Sequence, residues 1–257
     1  MSTGRTATTK WTRVYMDGYD ISGDSRQIGP LAATYDEGDL TCFPDEVKGA
    51  LPGHPTLSIG TLNGVFSNTA TTGLHIIANA PSGKRTVMIP IGIRAAPAQG
   101  DPVYMGEFTQ LGYQHEGDTA AYVSIPFGLP SETNSTLLYD KPWGWLLHAK
   151  GAETAANTAV GIDDNGAATA FGGYMMYQVF AGNGTATIKV QDAATNSDGS
   201  FADLSGCTSG SINCAVVQYG VVAIGRTATV RRYLRWQVVL GTATTVTFAL
   251  SFVRATF

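Results

Sequence analysis

The four histidines, His54, His75, His115 and His148, stand singly, and no His-x-x-x-His or Cys-x-x-Cys spacing offers zinc a ligand set. His115 lies near Glu116 and Asp118, but a polar turn tip accounts for that cluster. Asp163-Asp164-Asn165-Gly166 begins like a calcium loop and lacks the bidentate Glu at the required distance. There is no Gly-x-Ser-x-Gly elbow and no phosphate-binding loop; the glycines of Ala181-Gly182-Asn183-Gly184-Thr185 join two strand-like runs and open no helix. Asp36, Glu37 and Asp39 gather three carboxylates without a second group to make an acid–base pair. Arg226, Arg231, Arg232 and Arg235 surround Tyr233 and Trp236, the mixture of charge and aromatic faces that binds single strands. In a strand, though, Arg231, Tyr233 and Arg235 face one way and Arg232, Leu234 and Trp236 the other, which divides the charge. No catalytic residue, no cofactor and no metal are expected.

Composition points elsewhere. Of 257 residues, glycine, alanine and threonine supply 31 each, and only 14% are charged, against roughly 25% in an ordinary soluble domain. At 44% hydrophobic the chain can build a core. A surface this poor in charge suits a protein that covers much of it with copies of itself. No apolar run reaches the roughly 18 residues of a membrane helix. Met-Ser-Thr-Gly-Arg-Thr-Ala at the start lacks the apolar stretch of a signal peptide, so a soluble chain that crosses no membrane is expected. The formal charge of −4 conceals an asymmetry: residues 1–204 carry every acid and a net of −9, while residues 205–257 carry five arginines and no acid. Cys42, Cys207 and Cys214 are an odd set, so reduced, partly buried thiols are expected; a Cys207–Cys214 bridge would need an oxidising compartment.

The elements that hold these residues are almost all β. Short alternating runs are broken by Gly, Pro, Asn and Asp every 8–15 residues. Asp17-Gly18 marks a hairpin turn after 11–16. Residues 56–66 and 84–93 read as strands, and 104–114 is expected to pair with 119–127. Two short helices are expected, at 44–51 and 72–78. Trp143-Gly144-Trp145-Leu146-Leu147-His148 is an apolar strand between two polar stretches. The expected organisation is a β-barrel or sandwich over 1–130, a linker over 131–165 and a C-terminal β-sandwich over 166–257. Tyr174, Tyr177, Phe180, Tyr233, Trp236 and Phe252 are expected in that second core, with sugar stacking on an exposed ring as the alternative.

The order of several segments resembles the tail tube (major tail) proteins of long-tailed bacteriophages. Val14-Tyr15-Met16-Asp17-Gly18-Tyr19-Asp20-Ile21-Ser22-Gly23 is similar to their opening hairpin. Asp39-Leu40-Thr41-Cys42-Phe43 and Lys48-Gly49-Ala50-Leu51-Pro52-Gly53 follow and lead into the strand at 56–66. The second half resembles the outer domain that many of them carry, in Trp143-Gly144-Trp145-Leu146-Leu147-His148-Ala149, Ala186-Thr187-Ile188-Lys189-Val190-Gln191-Asp192, Phe201-Ala202-Asp203-Leu204, Thr229-Val230-Arg231-Arg232-Tyr233-Leu234-Arg235 and 248–254. Pro44 departs from the small, flexible residue expected after Phe43.

The resemblance implies a structural virion protein, assembled in the host cytoplasm, that forms rings stacked into the tube through which DNA is ejected. Hexameric rings are the family's usual state, and pseudo-hexameric trimers stay open. Its partners would be itself, a tape-measure protein and a tail terminator, with DNA passing unbound and no membrane contact. The resemblance also implies an inter-ring loop over 36–51, with Asp36, Glu37, Asp39, Phe43, Lys48 and Leu51 in contact. The lumen would be acidic, its candidates Asp36, Glu37, Asp39, Glu107 and Glu116, so that DNA slides past without salt-sensitive attraction. Arg231, Arg232 and Arg235 would form a basic strand on the outer domain. A head-decoration or other virion surface protein, and a carbohydrate-binding module, are the alternatives.

Overall fold

Asp17 and Gly18 both take positive φ, 52° and 82°, the geometry that a two-residue hairpin turn needs to match the twist of its strands. They join β1 (Tyr15–Met16) to β2 (Tyr19–Asp20) as the sequence predicts. The structure is a computed structural model that describes residues 9–42, 47, 49–79, 83–93, 95–117, 121–130, 142–163 and 168–255. Alternation and turn residues carry the remaining elements. They are β3 (Ser25–Ile28), β4 (Leu31–Asp39), β5 (Ala50–Ile59), β6 (Leu62–Val65), the helix α1 (Leu74–Ala78) and β7 (Lys84–Pro90). Then come β8 (Pro102–Gln110), β9 (Gln114–Gly117), β10 (Ala121–Ile125), β11 (Phe127–Pro130), β12 (Trp143–Glu153) and β13 (Ile162–Asp163). The chain continues through β14 (Gly173–Gly182), β15 (Thr185–Ala193), β16 (Ala202–Thr208), β17 (Ile212–Asn213), β18 (Gln218–Ile224), β19 (Tyr233–Leu240) and β20 (Val246–Arg254). The fold is all-β.

One antiparallel sheet organises it, in the order β18-β14-β20-β12-β8-β7-β1-β2, with β11 also on β8. Its strands bury both faces. On β14, Tyr174 and Met176 point to one side and Met175, Tyr177 and Val179 to the other; on β8, Val103 and Met105 oppose Tyr104 and Phe108. The first side is a single core along the sheet, from Tyr15 and Met88 to Ala249 and Val253. The second side carries two cores. The small sheet β3-β6-β10-β9 and α1 cover Val87, Ile89 and Tyr104 at one end, and β13-β19-β15-β16 covers Met175, Phe248 and Phe252 at the other.

The sheet curls, and a side chain fastens the curl. Gln178 Oε1 accepts the Gly18 amide and its Nε2 donates to the Thr86 carbonyl at 3.2 Å, tying β14 to the β1–β2 turn and β7. A Cβ on Gly18 would sit 2.9 Å from Val217 Cβ, so the turn can approach that closely only as glycine.

Several expectations need correction. Residues 131–141 lie outside the described residues, but β12, within the expected linker, is the strand that joins β8 to β20. Its apolar run buries Leu146 on one face and Leu147 on the other, and the main sheet thus runs through strands of both halves. The pairing expected between 104–114 and 119–127 is present, with Gln114 opposite Ser124 and Gln110 opposite Phe127, but it is divided between two sheets: β10 pairs β9 and β6, whereas β11 pairs β8 in the main sheet beside β7 and β12. The helix expected at 44–51 ends in strand, since Ala50 and Leu51 open β5; residues 43–46 and 48 lie outside the described residues. The helix expected at 72–78 is α1. Tyr177, Trp236 and Phe252 are buried in the C-terminal core as expected, whereas Tyr174, with half-buried Phe180 beside it, lies in the core across the main sheet with Tyr15 and Met88; Tyr233 is half-buried. Cys207 and Cys214 are buried free thiols, with burial pushing both upward, and Cys42 is exposed.

Candidate functional site

β4 and β5 form a two-stranded ribbon, running from Leu31 opposite Ile59 to Asp39 opposite Ala50. Among the described residues neither strand pairs with another sheet. At the root the ribbon belongs to the core: Leu57 and Ile59 are buried, with Leu31 and Ala33 packed beside them. The buried Tyr104 hydroxyl donates to the Ala32 and Ser58 carbonyls, at 3.1 and 2.7 Å, and pins both strands to the main sheet. Its burial pushes that phenol well above the ordinary tyrosine value.

The root also has a close crossing. A Cβ on Gly29 would lie 2.6 Å from Gly60 Cα, and one on Gly60 would lie 2.8 Å from Gly29 Cα and from Pro30 Cδ. The Gly29 amide donates to Thr61 O at 2.9 Å and the Gly60 amide to Pro30 O at 3.0 Å. Hydrogen bonding therefore continues through the crossing into β3 and β6, which pair from Ile28 opposite Leu62. β3–β4 and β5–β6 are one long hairpin, kinked at two glycines.

Beyond Thr34 the ribbon leaves the protein. Every described residue of β4 from Thr34 onward is exposed, and at ~3.3 Å per residue this free part projects about 20 Å. Alternation places Tyr35, Glu37 and Asp39 on one face and Asp36, Gly38 and Leu40 on the other, where Leu51 stands opposite Gly38. Tyr35, Leu40 and Leu51 are 48%, 54% and 57% exposed. Hydrogen bonds from the Thr41 hydroxyl and amide to Asp39 Oδ1 hold that carboxyl below its usual value. An unpaired ribbon edge bearing exposed large apolar side chains is an association device: a monomer would have to guard it.

The structure thus brings Asp36, Glu37, Asp39 and Leu51 together on one arm. It is a paired ribbon where the sequence suggested a loop. Phe43 and Lys48 lie outside the described residues. Tyr35 and Leu40 escaped the sequence reading, although their alternation with the acids was the available signal. Glu116 is exposed on β9, in a different sheet. Glu107 is corrected: it is buried, with Oε1 2.9 Å from Lys84 Nζ and 3.3 Å from the Thr86 hydroxyl, so it lines no open surface. Pairing β8 with β7 sets it opposite Thr86 on the inner face of the curl.

The basic strand is corrected as well. Arg231 and Arg232 precede β19, and only Arg235 lies in it. Arg235 is buried; its Nε donates to Gln191 Oε1 at 2.8 Å, and its guanidinium meets Asp198 and lies 4.4 Å over the Phe201 ring. Arg232 Nε meets Asp163 at 2.9 Å, and the Arg231 amide donates to Asp192 at 2.7 Å. These arginines tie loops to their own domain and present no continuous basic stripe. Among the described residues no three His, Cys, Asp or Glu side chains are grouped to hold a metal, and no helix is long and apolar enough to cross a membrane.

No family model matches the chain, and no curated protein matches it. Among solved structures it is similar to the Dit (gp 19.1) protein of SPP1, a paradigm of the hub adsorption apparatus in phages infecting Gram-positive bacteria. The identity is 11%, the match covers 95% of this chain and 100% of that one, and the TM-score is 0.34. A likeness that loose carries no argument here.

Proposed function

We propose that this chain is a structural subunit of a long-tailed phage that polymerises through its β4–β5 arm into stacked rings, forming the tail tube. The observation that carries the reading is the arm: an unpaired ribbon about 20 Å long with Tyr35, Leu40 and Leu51 in solvent, at the segment where the sequence resemblance implies the inter-ring contact. Burying the exposed half of three such side chains contributes roughly 1 kcal/mol each at an interface, an incentive to assemble. The low charge of the chain supports the same reading. The reading assigns no catalysis and no cofactor; its partners are further copies of the chain, a tape-measure protein and a tail terminator, and DNA passes without specific binding. Glu116 is the remaining candidate for an acidic inner wall.

Negative-stain electron microscopy of the purified protein tests this. Rings or tubes of constant diameter are expected, and deletion of residues 36–51 should leave folded monomers. Tubes of normal length from the deletion variant would refute the role of the arm. Trimers that bind capsids, with no tubes, would replace the reading with head decoration.

A further inference from the structure

The root of the same long hairpin borders a cavity of about 240 Å³ lined by Lys10, Thr12, Arg13, Ser22, Arg26 and Gln27 among others. Three cations line one cavity of a body that is otherwise acidic, and two of them differ from most of the other bases. Lys84, Arg85, Lys150, Lys189, Arg232 and Arg235 each hold a carboxylate of their own chain. Arg13 instead donates to the Lys10 and Thr12 carbonyls, at 2.9 and 3.1 Å, and Arg26 lies 5.0 Å over the Tyr122 ring. Among the described residues no carboxylate pairs with either. The acids sort in the same way: Asp17, Asp20, Asp163, Asp198 and Asp203 are paired within the chain, whereas Asp36 and Glu37 on the arm meet no cation among the described residues. Asp24 beside the root keeps its carboxylate on the Leu74 amide at 3.1 Å, and the cavity lining itself holds no acid, so the cavity presents basic charge and the free part of the arm acidic charge.

We propose that this cavity receives the arm of a second copy of the chain, with the carboxylates of Asp36 and Glu37 entering between Arg13 and Arg26. The inference rests on the self-assembly reading above and names the receiving site. Among the described residues neither arginine pairs with Asp36 or Glu37 of its own chain. Arg26 and Glu37 lie 11 residues apart on one strand path whose hydrogen bonding continues through Gly29 and Gly60, a separation of up to about 36 Å at ~3.3 Å per residue. A donor at one end and an acceptor at the other allow a head-to-tail contact, which builds a ring where its rotation closes and a filament where it does not. The repeat it allows is bounded by that reach plus two side chains, at no more than roughly 45 Å.

Charge exchange in the full-length protein tests the contact, read by sedimentation velocity across protein and salt concentrations, with thermal unfolding as the check on folding. Arg13→Glu/Arg26→Glu and Asp36→Lys/Glu37→Lys should each weaken self-association at least tenfold without lowering the unfolding midpoint. All four substitutions in one chain should restore it to within about threefold, because arm and cavity are then complementary again with reversed sign. Wild-type association from the cavity variant, no recovery in the fourfold variant, or a polymer repeat well above 45 Å would each overturn the docking site and leave arm-driven assembly standing. A wild-type chain that stays monomeric at every concentration would overturn both.

Discussion

Replacing Arg85 by Met probes the polar cluster that fixes the arm-bearing end of the sheet. Arg85 is buried on β7, and its guanidinium spends every edge: Nη1 to Asp17 Oδ2 at 2.7 Å, Nε to Gln110 Oε1 at 2.7 Å and Nη2 to the Ile77 carbonyl at 3.0 Å. Asp17 also accepts the Thr86 amide at 2.8 Å, so the turn, β7, β8 and the end of α1 share one network. Methionine fills the volume of the stem but leaves a carboxylate, an amide oxygen and a carbonyl without their donor. Breaking a buried ion pair from one side costs about 3–5 kcal/mol, a large part of the roughly 5–15 kcal/mol that holds a domain folded. At ~2.1 cal/mol/K of unfolding entropy per residue, 4 kcal/mol lowers Tm by roughly 7 °C in a chain of this length.

The loss also depends on pH, with a definite sign. Burial pushes the Asp17 carboxyl above its ordinary value of 3.8, and the Arg85 guanidinium and Thr86 amide pull it back. Without Arg85 the folded value rises further. A carboxyl raised in the folded state favours folding below its unfolded value, and that benefit is lost as pH climbs through the folded value. The variant should therefore be closer to wild type at pH 4 than at pH 7 in urea unfolding. Adding Asp17→Asn should recover at least half of the loss, since the amide keeps an oxygen for the Thr86 amide and removes the stranded charge. A cost below about 1 kcal/mol at pH 7, or one that does not change with pH, would refute the account.

Two further outcomes follow from the same kind of reasoning. Gly60→Ala places a methyl 2.8 Å from Gly29 Cα and Pro30 Cδ; overpacking of this kind costs about 1–3 kcal/mol, and because the clash is at the kink it should also weaken self-association in sedimentation. An unchanged urea midpoint would show that the crossing is looser than its geometry. His148 is stacked on Phe248 at 4.2 Å and against Trp236 at 4.4 Å. Burial lowers its value below 6.5, while hydrogen bonds to Glu153 and the Phe248 carbonyl oppose the shift. Its unfolded form takes the proton first, so stability should fall as pH drops below about 6.5, and His148→Phe should flatten that slope. An equal slope in the variant would assign the dependence to other groups.

Much of the fold was legible because its causes are local. Asp17-Gly18 carries its own turn geometry, Leu74–Ala78 its short helix, and the alternation of Tyr174 to Val179 its two-faced burial. Pairing was not legible in this way. The apolar run of β12 reads the same whether it lies in a linker or in the middle of a sheet, because strand neighbours are chosen by distant segments. Likewise the acids 36–39 are a hydrophilic stretch in the sequence, and only their position beyond the last core contact, at Ala33 and Leu57, makes them an arm.

Charge shows the division most plainly. Composition and period are properties of the string, and they dictate an all-β chain short of charge, with acids in the body and arginines toward the end. The string could not say which charges are spent. Arg235, counted as part of a basic strand, is consumed by Asp198 and Gln191, and Glu107, counted for the lumen, is consumed by Lys84. Arg13 and Arg26, unremarkable as letters, keep their charge uncompensated by any carboxylate among the described residues. Neutralisation depends on distances of about 3 Å between residues tens of positions apart, and tertiary structure alone sets those distances.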